Sequence, residues 1–373
     1  EEKVEKKEKK DNKKKSKKQK RKEDVKHWAD SIAQKIIETK GEKKSYVLAS
    51  GISPSGHIHI GNFREIITTE FAATALETKG KKVRFIYSWD DYDRLRKVPA
   101  GVDEKYEKYI GMPYSEIPCP FGCHDSYALH FEEELQDSIS GLGIDVEYIR
   151  QSEKYKACEY AESIKKALVA RKKIKKILDK YRKEPLPDNY IPLTVYCEKC
   201  GKDFTDVVYY DEEYSVEYTC ECGNKNTIDF RKKGIVKLPW RVDWPMRWAH
   251  EGVDFEPGGK DHSSPGSSRT TGVEIVKEIY GKEAPVYQMY DFIRVKGGAG
   301  KMSGSAGGAY TPADVLEVYE PEMVRWLFAG SRPVSEFAIS FDLDTIKNYE
   351  DFDRIERIYY GEEETGEKNK AKQ

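Results

Sequence analysis

One joint constrains this chain more than any other feature. Gly51-Ile52-Ser53-Pro54-Ser55-Gly56-His57-Ile58-His59-Ile60-Gly61 lies between a short apolar run, Ser45 to Ser50, and a stretch from Asn62 to Thr78 with Phe63, Ile66, Ile67, Phe71 and Ala75 at helical spacing. The apolar run reads as a buried strand, and the spacing predicts a helix. Lys82 to Ser88 then reads as a second strand, ending in Trp89-Asp90-Asp91-Tyr92-Asp93. Strand, glycine-rich turn, helix and strand make a βαβ unit, whose ligand edge lies beyond the strand C-termini. Glycines there permit close backbone approach, and a helix N-terminus favours phosphate. A histidine in such a turn can donate to phosphate oxygens, although His57 fits a plain surface residue equally well.

Downstream the pattern is less regular. An amphipathic segment, Trp28 to Glu38, precedes the first strand. From about Cys119 to Asn226 the chain looks inserted: a turn-rich region, a long Lys-rich helical pattern from Glu159 to Lys183, then alternating strands between cysteine pairs. The parallel-sheet pattern resumes at Gly234. It continues through Trp240 to Trp248, a polar loop at Gly258 to Ser268, a helix from Gly272 to Tyr280, a strand-like Val286 to Arg294, and a Pro-initiated helix at Thr311 to Tyr319.

Charge separates tail from body. Residues 1–26 hold 14 Lys+Arg against 7 Asp+Glu, a local +7 in a chain whose formal charge is −1, so residues 27–373 carry −8. With Val4 and Val25 as its only apolar residues, this tail cannot bury enough surface to offset the entropy of ordering. It reads either as a solubilising extension or as an arm making non-specific contact with RNA. No apolar run of about 18 residues and no apolar segment behind the N-terminal charges is present, which argues against a membrane span or secretory signal and for a cytoplasmic protein.

Six of the seven cysteines cluster. Cys197-x2-Cys200 and Cys220-x-Cys222 bracket a strand-rich hairpin, and four thiolates are a usual structural Zn²⁺ set. The Cys-x-Cys half is tighter than usual, which leaves room for another ligand in place of Cys220 or Cys222. Cys119-x3-Cys123-His124-x5-His130 supplies a second four-ligand set, its alternative being reduced surface cysteines beside unrelated histidines. Four protein ligands leave no open position, so either zinc would be structural.

The glycine-rich turn has a counterpart about 240 residues on, the glycine-flanked Lys301-Met302-Ser303-Gly304-Ser305. Together, in this order and context, the two resemble the signature pair of class I aminoacyl-tRNA synthetases, with His59-Ile60-Gly61-Asn62 standing for HIGH and Lys301 to Ser305 for KMSKS. Trp28-Ala29-Asp30, Trp89 to Arg94, Trp240 to Trp248, Gly259-Lys260-Asp261-His262 and Phe352-Asp353-Arg354 narrow the resemblance to class I lysyl-tRNA synthetase, over roughly residues 27–361.

The resemblance implies an α/β fold: a Rossmann-type parallel sheet nucleotide-binding core with a zinc-bearing α+β insertion. The chain then divides into the tail (1–26), the first half of the core (27–115), a metal-binding insertion (116–233), the second half (234–300), the KMSKS-like loop with a helical stem-contact region (301–361) and a charged tail (362–373). The implied partners are L-lysine, ATP with Mg²⁺ and the acceptor end of tRNA(Lys), and zinc is implied near Cys119. His59 and Lys301 would be catalytic. His57, His59, Gly61, Asn62, Lys301, Ser303 and Ser305 would bind ATP, and Gly51, Ser53, Trp240, His262 and Tyr290 would bind lysine. An indole face suits the apolar stem of lysine; outside the resemblance, Trp240 reads as a core aromatic and His262 as a structural histidine. Asp90 and Asp91 would face the ammonium or a metal-bound nucleotide, or else cap the next segment.

Departures from the family pattern qualify this reading. Gly304 stands where KMSKS has its second lysine, Asn62 where HIGH ends in histidine, and Gln373 ends the chain without the family's C-terminal anticodon-reading domain. The sequence therefore reads as a fragment, a trimmed form or a natural short form. Two functions are expected from it: a lysine-tRNA ligase, or a synthetase-like RNA-binding protein with weak or no catalysis.

Overall fold

The computed structural model describes residues 27–296 and 310–364. The basic tail and the Lys301–Ser305 motif, with Lys301, Ser303 and Ser305, lie outside the described residues. In chain order the core elements are α1 (Trp28–Lys40), β1 (Ser45–Ile52), α2 (Ile60–Glu77), β2 (Lys82–Trp89), α3 (Tyr127–Gly141), β3 (Glu147–Arg150), α4 (Trp240–Glu251), β4 (Phe255–Gly259), α5 (Ser268–Tyr280) and β5 (Val286–Tyr290). The strands form one parallel sheet in the order β5-β4-β1-β2-β3. The chain steps outward from β1 to β3 and then returns to the other side of β1, so the topological switch point lies between β1 and β4, where open α/β sheets bind ligands.

Alternation along the strands covers both faces. Tyr46 and Leu48 of β1 pack against Ile32 and Ile36 of α1 and Ala72 and Leu76 of α2, whereas Ala49 and its β2 neighbour Ile86 meet Trp244 and Trp248 of α4. Strands buried on both faces need this near-continuous apolar character. Helices α4 and α5 end at Gly252 (φ +67°) and Gly281 (φ +64°), left-handed caps that favour glycine.

Several elements differ from the sequence expectation. Glu147–Arg150, inside the stretch read as an insertion, is the edge strand β3, and α3 beside it packs Leu135 and Ile139 into the core shared with Ile66 and Trp89. The Lys-rich pattern is two helices, Ala161–Val169 and Arg171–Asp179, broken at Ala170. The break keeps Ile164 and Leu168 on the same core as Ile174 and Ile177, and Arg171 Nη1 donates to the freed Leu168 carbonyl at 3.0 Å. The run from Val286 to Arg294 is also two strands, because after β5 the chain leaves the sheet and Ile293–Val295 pairs in parallel with Phe337–Ile339. Buried Arg64 of α2 fixes that departure, donating to the carbonyls of Asp291 (2.9 Å), Arg332 (2.7 Å) and Ser335 (2.7 Å).

Between β3 and α4, Thr205–Tyr210, Ser215–Cys220 and Lys225–Asp229 form a three-stranded antiparallel sheet. At the other end, Pro312–Leu316, Pro321–Ala329 and Asp344–Tyr359 are helical, the first opened by a Thr311/Asp314 capping box. Phe328 meets Phe63 of α2 edge-on at 5.3 Å. No helix among the described residues is long and apolar enough to cross a membrane.

Candidate active site

Strand β1 ends against β2 so closely that only glycine fits at position 51: a Cβ there would lie 2.5 Å from the Ser88 carbonyl oxygen. Beyond it the turn leads to His59, the extended N-cap of α2 (φ −84°, ψ 160°). Ser53 Oγ donates to Asp93 (3.1 Å), and the Tyr127 hydroxyl donates to the Ser55 carbonyl (2.9 Å). His57 Nδ1 lies 2.8 Å from Glu134 Oε2, and this partner raises the His57 pKa against the effect of burial. The Ile60 amide donates to the Tyr310 carbonyl at 2.8 Å, so the chain re-enters after residue 309 at the N-terminus of α2.

The turn forms one wall of a cleft of about 660 Å³ at the switch point, lined among others by Ser53, His57, His59, Gly61, Asn62, His262 and Tyr290. Seven residues expected from sequence to bind ATP or lysine thus share one cavity. Gly51 and Trp240 line a narrower pocket of about 40 Å³ behind it, with Asp90, Trp244, Arg247 and Glu256.

One carboxylate is hydrogen-bonded to a wall residue of each space. Glu65 of α2 accepts from the Gly51 amide (3.1 Å) and from the Tyr290 hydroxyl (2.6 Å). It is recessed, with only part of its surface accessible. Burial pushes its pKa up to about 8 despite both donors, and Glu256 and Asp90 add to the rise. Glu256 is held by the indole N–H groups of Trp244 (3.0 Å) and Trp248. Trp240 stacks on Trp244 with centroids 5.0 Å apart and planes at 14°, and His262 lies 5.7 Å from Trp244. Burial lowers the His262 pKa, favouring a neutral imidazole at pH 7.

The aspartates after β2 are structural partners here. Asp90 pairs with Arg247 at 2.6 Å, and Asp91 accepts from the Ser152 amide (2.8 Å) and hydroxyl, which makes it a cap for the helix Gln151–Lys156. Behind them Asp243, fully buried, takes Lys237 (3.2 Å), Arg247 (3.3 Å) and the Tyr155 hydroxyl. Burial alone would raise its pKa, but Lys237 and Arg247 hold it below the usual carboxylate range.

Both cysteine groups converge. In each, the four ligand atoms lie within 4.8 Å of one another. The Cys197–Cys222 and Cys200–Cys220 sulfurs are 3.7 Å apart and the Cys119–Cys123 sulfurs 3.8 Å. A tetrahedron of sulfurs about 2.3 Å from zinc has edges of about 3.8 Å, so the spacing suits that ion, and Cys197, Cys200, Cys220 and Cys222 all belong to the four-cysteine group. In the Cys119 group Cys123 Sγ, His124 Nδ1 and His130 Nδ1 lie 3.0 to 3.2 Å apart, and His124 Nε2 meets Glu133 at 3.0 Å, the outer carboxylate that ligating histidines usually carry.

With this geometry in view, the family model described as tRNA synthetases class I (K) matches residues 26–373. The chain belongs to the class I (K) tRNA synthetases. It is 52% identical over 339 residues to the lysine–tRNA ligase of Pyrococcus furiosus, covering 90% of this chain and 64% of that one. Against the lysine–tRNA ligase of Borreliella burgdorferi the identity is 50% over 346 residues, with 92% and 66% covered. Against that of Methanocaldococcus jannaschii it is 44% over 352 residues, with 93% and 66% covered. This synthetase chain therefore spans just under two thirds of the length of these relatives.

In this class I (K) core, sequence reasoning missed Glu65 and Glu256. Glu65 lies in a helical stretch whose neighbours Phe63, Arg64, Ile66 and Ile67 are all buried, and a carboxylate inside such a run is the signal that was present.

Proposed function

We propose that this chain activates L-lysine with MgATP and transfers the lysyl group to the 3′ end of tRNA(Lys). The observation that carries the reading is the cleft at the N-terminus of α2, whose wall residue Tyr290 donates to the recessed Glu65, the acceptor of the Gly51 amide. One end suits phosphate, the other an ammonium. The three relatives named above are lysine–tRNA ligases, which supports the same substrate.

In the first step a carboxylate oxygen of lysine attacks the α-phosphorus of ATP in line. The new O–P bond forms as the bond to the bridging oxygen breaks, and pyrophosphate leaves. No proton need move, so the protein acts by positioning and by stabilising developing charge. His57, His59, Gly61 and Asn62 hold the phosphates at the helix terminus, and Lys301, Ser303 and Ser305 neutralise the β and γ phosphates as charge builds. Mg²⁺ arrives with the nucleotide. Glu65, kept in place by Gly51 and Tyr290, takes the lysine ammonium. Ser53, Trp240 and neutral His262 complete the lysine pocket, the last without adding a competing positive charge. In the second step a terminal ribose hydroxyl attacks the adenylate carbonyl carbon; the ester bond forms as the bond to the phosphate oxygen breaks, and the hydroxyl proton leaves with AMP.

Zinc at Cys197, Cys200, Cys220 and Cys222, and at Cys119, Cys123, His124 and His130, would be structural, since neither set leaves a ligand position open. The tail over 1–26 would add non-specific contact with RNA phosphates. The reading is tested by mixing the chain with lysine and MgATP and seeking lysyl-adenylate by mass spectrometry. Adenylate that depends on both substrates is expected, and its absence from folded protein refutes the assignment.

A further inference from the structure

Helix α3 presents Tyr127, His130, Phe131 and Glu134 at i, i+3, i+4 and i+7, one continuous stripe. Two of the four hold the glycine-rich turn: the Tyr127 hydroxyl donates to the Ser55 carbonyl at 2.9 Å, and Glu134 grips His57 at 2.8 Å. Phe131 meets the His57 ring edge-on at 5.1 Å. His130, between them, points its Nδ1 at the first cysteine group, 3.2 Å from Cys123 Sγ. A single helix thus touches the Cys119/Cys123/His124/His130 group and the turn that opens the cleft.

We propose that Tyr127 and Glu134 are positioning residues for the phosphate-binding turn, and that a metal ion at Cys119, Cys123, His124 and His130 tightens MgATP binding by fixing α3. The physical reason is that a turn with several backbone freedoms binds phosphate well only when its conformation is settled beforehand. Here both tethers come from the helix on which His130 sits. An ion drawing His130 toward three ligands of the preceding loop fixes the height and rotation of that helix, and with it Tyr127 and Glu134. The inference rests on the reading that this turn binds ATP, and it adds a linkage between two sites.

The test is calorimetric titration of MgATP into the zinc-loaded full chain and its variants. Cys123→Ser empties this cluster alone, leaving the four-cysteine group intact. It should weaken MgATP about tenfold while lysine affinity stays within about twofold, a coupling in the usual range. Glu134→Ala should do the same, and Glu134→Gln, which keeps an acceptor for His57, should recover most of the loss. In Tyr127→Phe/Glu134→Ala, adding Cys123→Ser should change little further, because the link is already cut. Linkage also requires MgATP to tighten one zinc by the same factor in the unaltered chain, read by competition with a chromogenic chelator, so the proposal stays testable even if a variant unfolds. Equal MgATP affinity with and without the ion, in a chain that binds MgATP, overturns the proposal and leaves the phosphate site standing. A chain that binds no MgATP overturns the reading beneath it.

Discussion

The Tyr290 hydroxyl, at the end of β5, donates to Glu65 on α2 across 2.6 Å and 225 residues of sequence. The contact fixes a carboxylate whose pKa burial has raised to about 8, and that raised pKa has consequences for lysine binding. An arriving ammonium selects the ionised form. Below pH 8 lysine must first displace a proton, so its affinity should rise about tenfold per pH unit from 6 toward 8, then level until the ammonium itself titrates near 10.4. Glu65→Gln should flatten this profile and raise the KM for lysine about a hundredfold, with that for ATP little changed. Without ligand the sign reverses: the folded chain holds the Glu65 proton between the ordinary carboxyl pKa and 8, so this group lowers stability as pH rises through that window. A flat lysine-affinity profile from pH 6 to 8 would remove Glu65 from the pocket.

Asp243 carries a prediction about stability rather than binding. Its carboxylate lies between buried Lys237 and Arg247, which keep Asp93 (3.0 Å) and Asp90 (2.6 Å) as their other partners, so Asp243→Ala removes one of two carboxylates from each and should cost about 1 to 3 kcal/mol, measured by urea unfolding. Its folded pKa is held below the unfolded value, so the contribution is present above about pH 4 and disappears as pH falls through the lowered folded value. A loss under 1 kcal/mol would mean that the network relaxes around the gap.

At the phosphate end, His59→Ala and Lys301→Ala should leave the fold intact and slow adenylate formation more than they weaken lysine binding, because their contacts strengthen as charge develops. Each should cost about 3 kcal/mol, roughly a hundredfold in rate. Single-turnover quench-flow separates the step from binding. Minor, equal effects on both quantities would contradict the assignment.

Much of this was legible locally. The βαβ opening is written in a short apolar run, a glycine-rich joint and a helical period, and both converging cysteine groups are written in cysteine and histidine spacing, so each could be read from neighbours in sequence. What escaped depends on distant partners. β4 contains Pro257-Gly258-Gly259, which reads as a turn, yet Gly258 is needed there because a Cβ would meet the Tyr287 hydroxyl at 2.6 Å. The split after Tyr290 follows from Arg64, over 220 residues earlier, capturing the Asp291 carbonyl. Asp91 accepts from Ser152, 61 residues on, a partner that its own neighbours in sequence do not announce. Glu65 gains its role only when Gly51 and Tyr290 are brought to it.

The cysteine groups predict metal content. Chain purified without added zinc should contain about two ions, one per converging group. Chelation should expose the amides of Thr205–Tyr210 and Ser215–Cys220 to hydrogen exchange before those of β1, since the Cys197 group closes that small sheet rather than the main one. Metal analysis near zero would refute both sites.

The central claim, that this cleft activates lysine, is met most directly by ATP–pyrophosphate exchange at pH 8 with lysine or with norleucine, its isostere without the terminal amine. Exchange should depend on lysine and fall by about a thousandfold or more with norleucine, because a recessed carboxylate would be left without its partner. Exchange equal for the two amino acids, or no exchange above background from folded, zinc-loaded chain, would contradict the account.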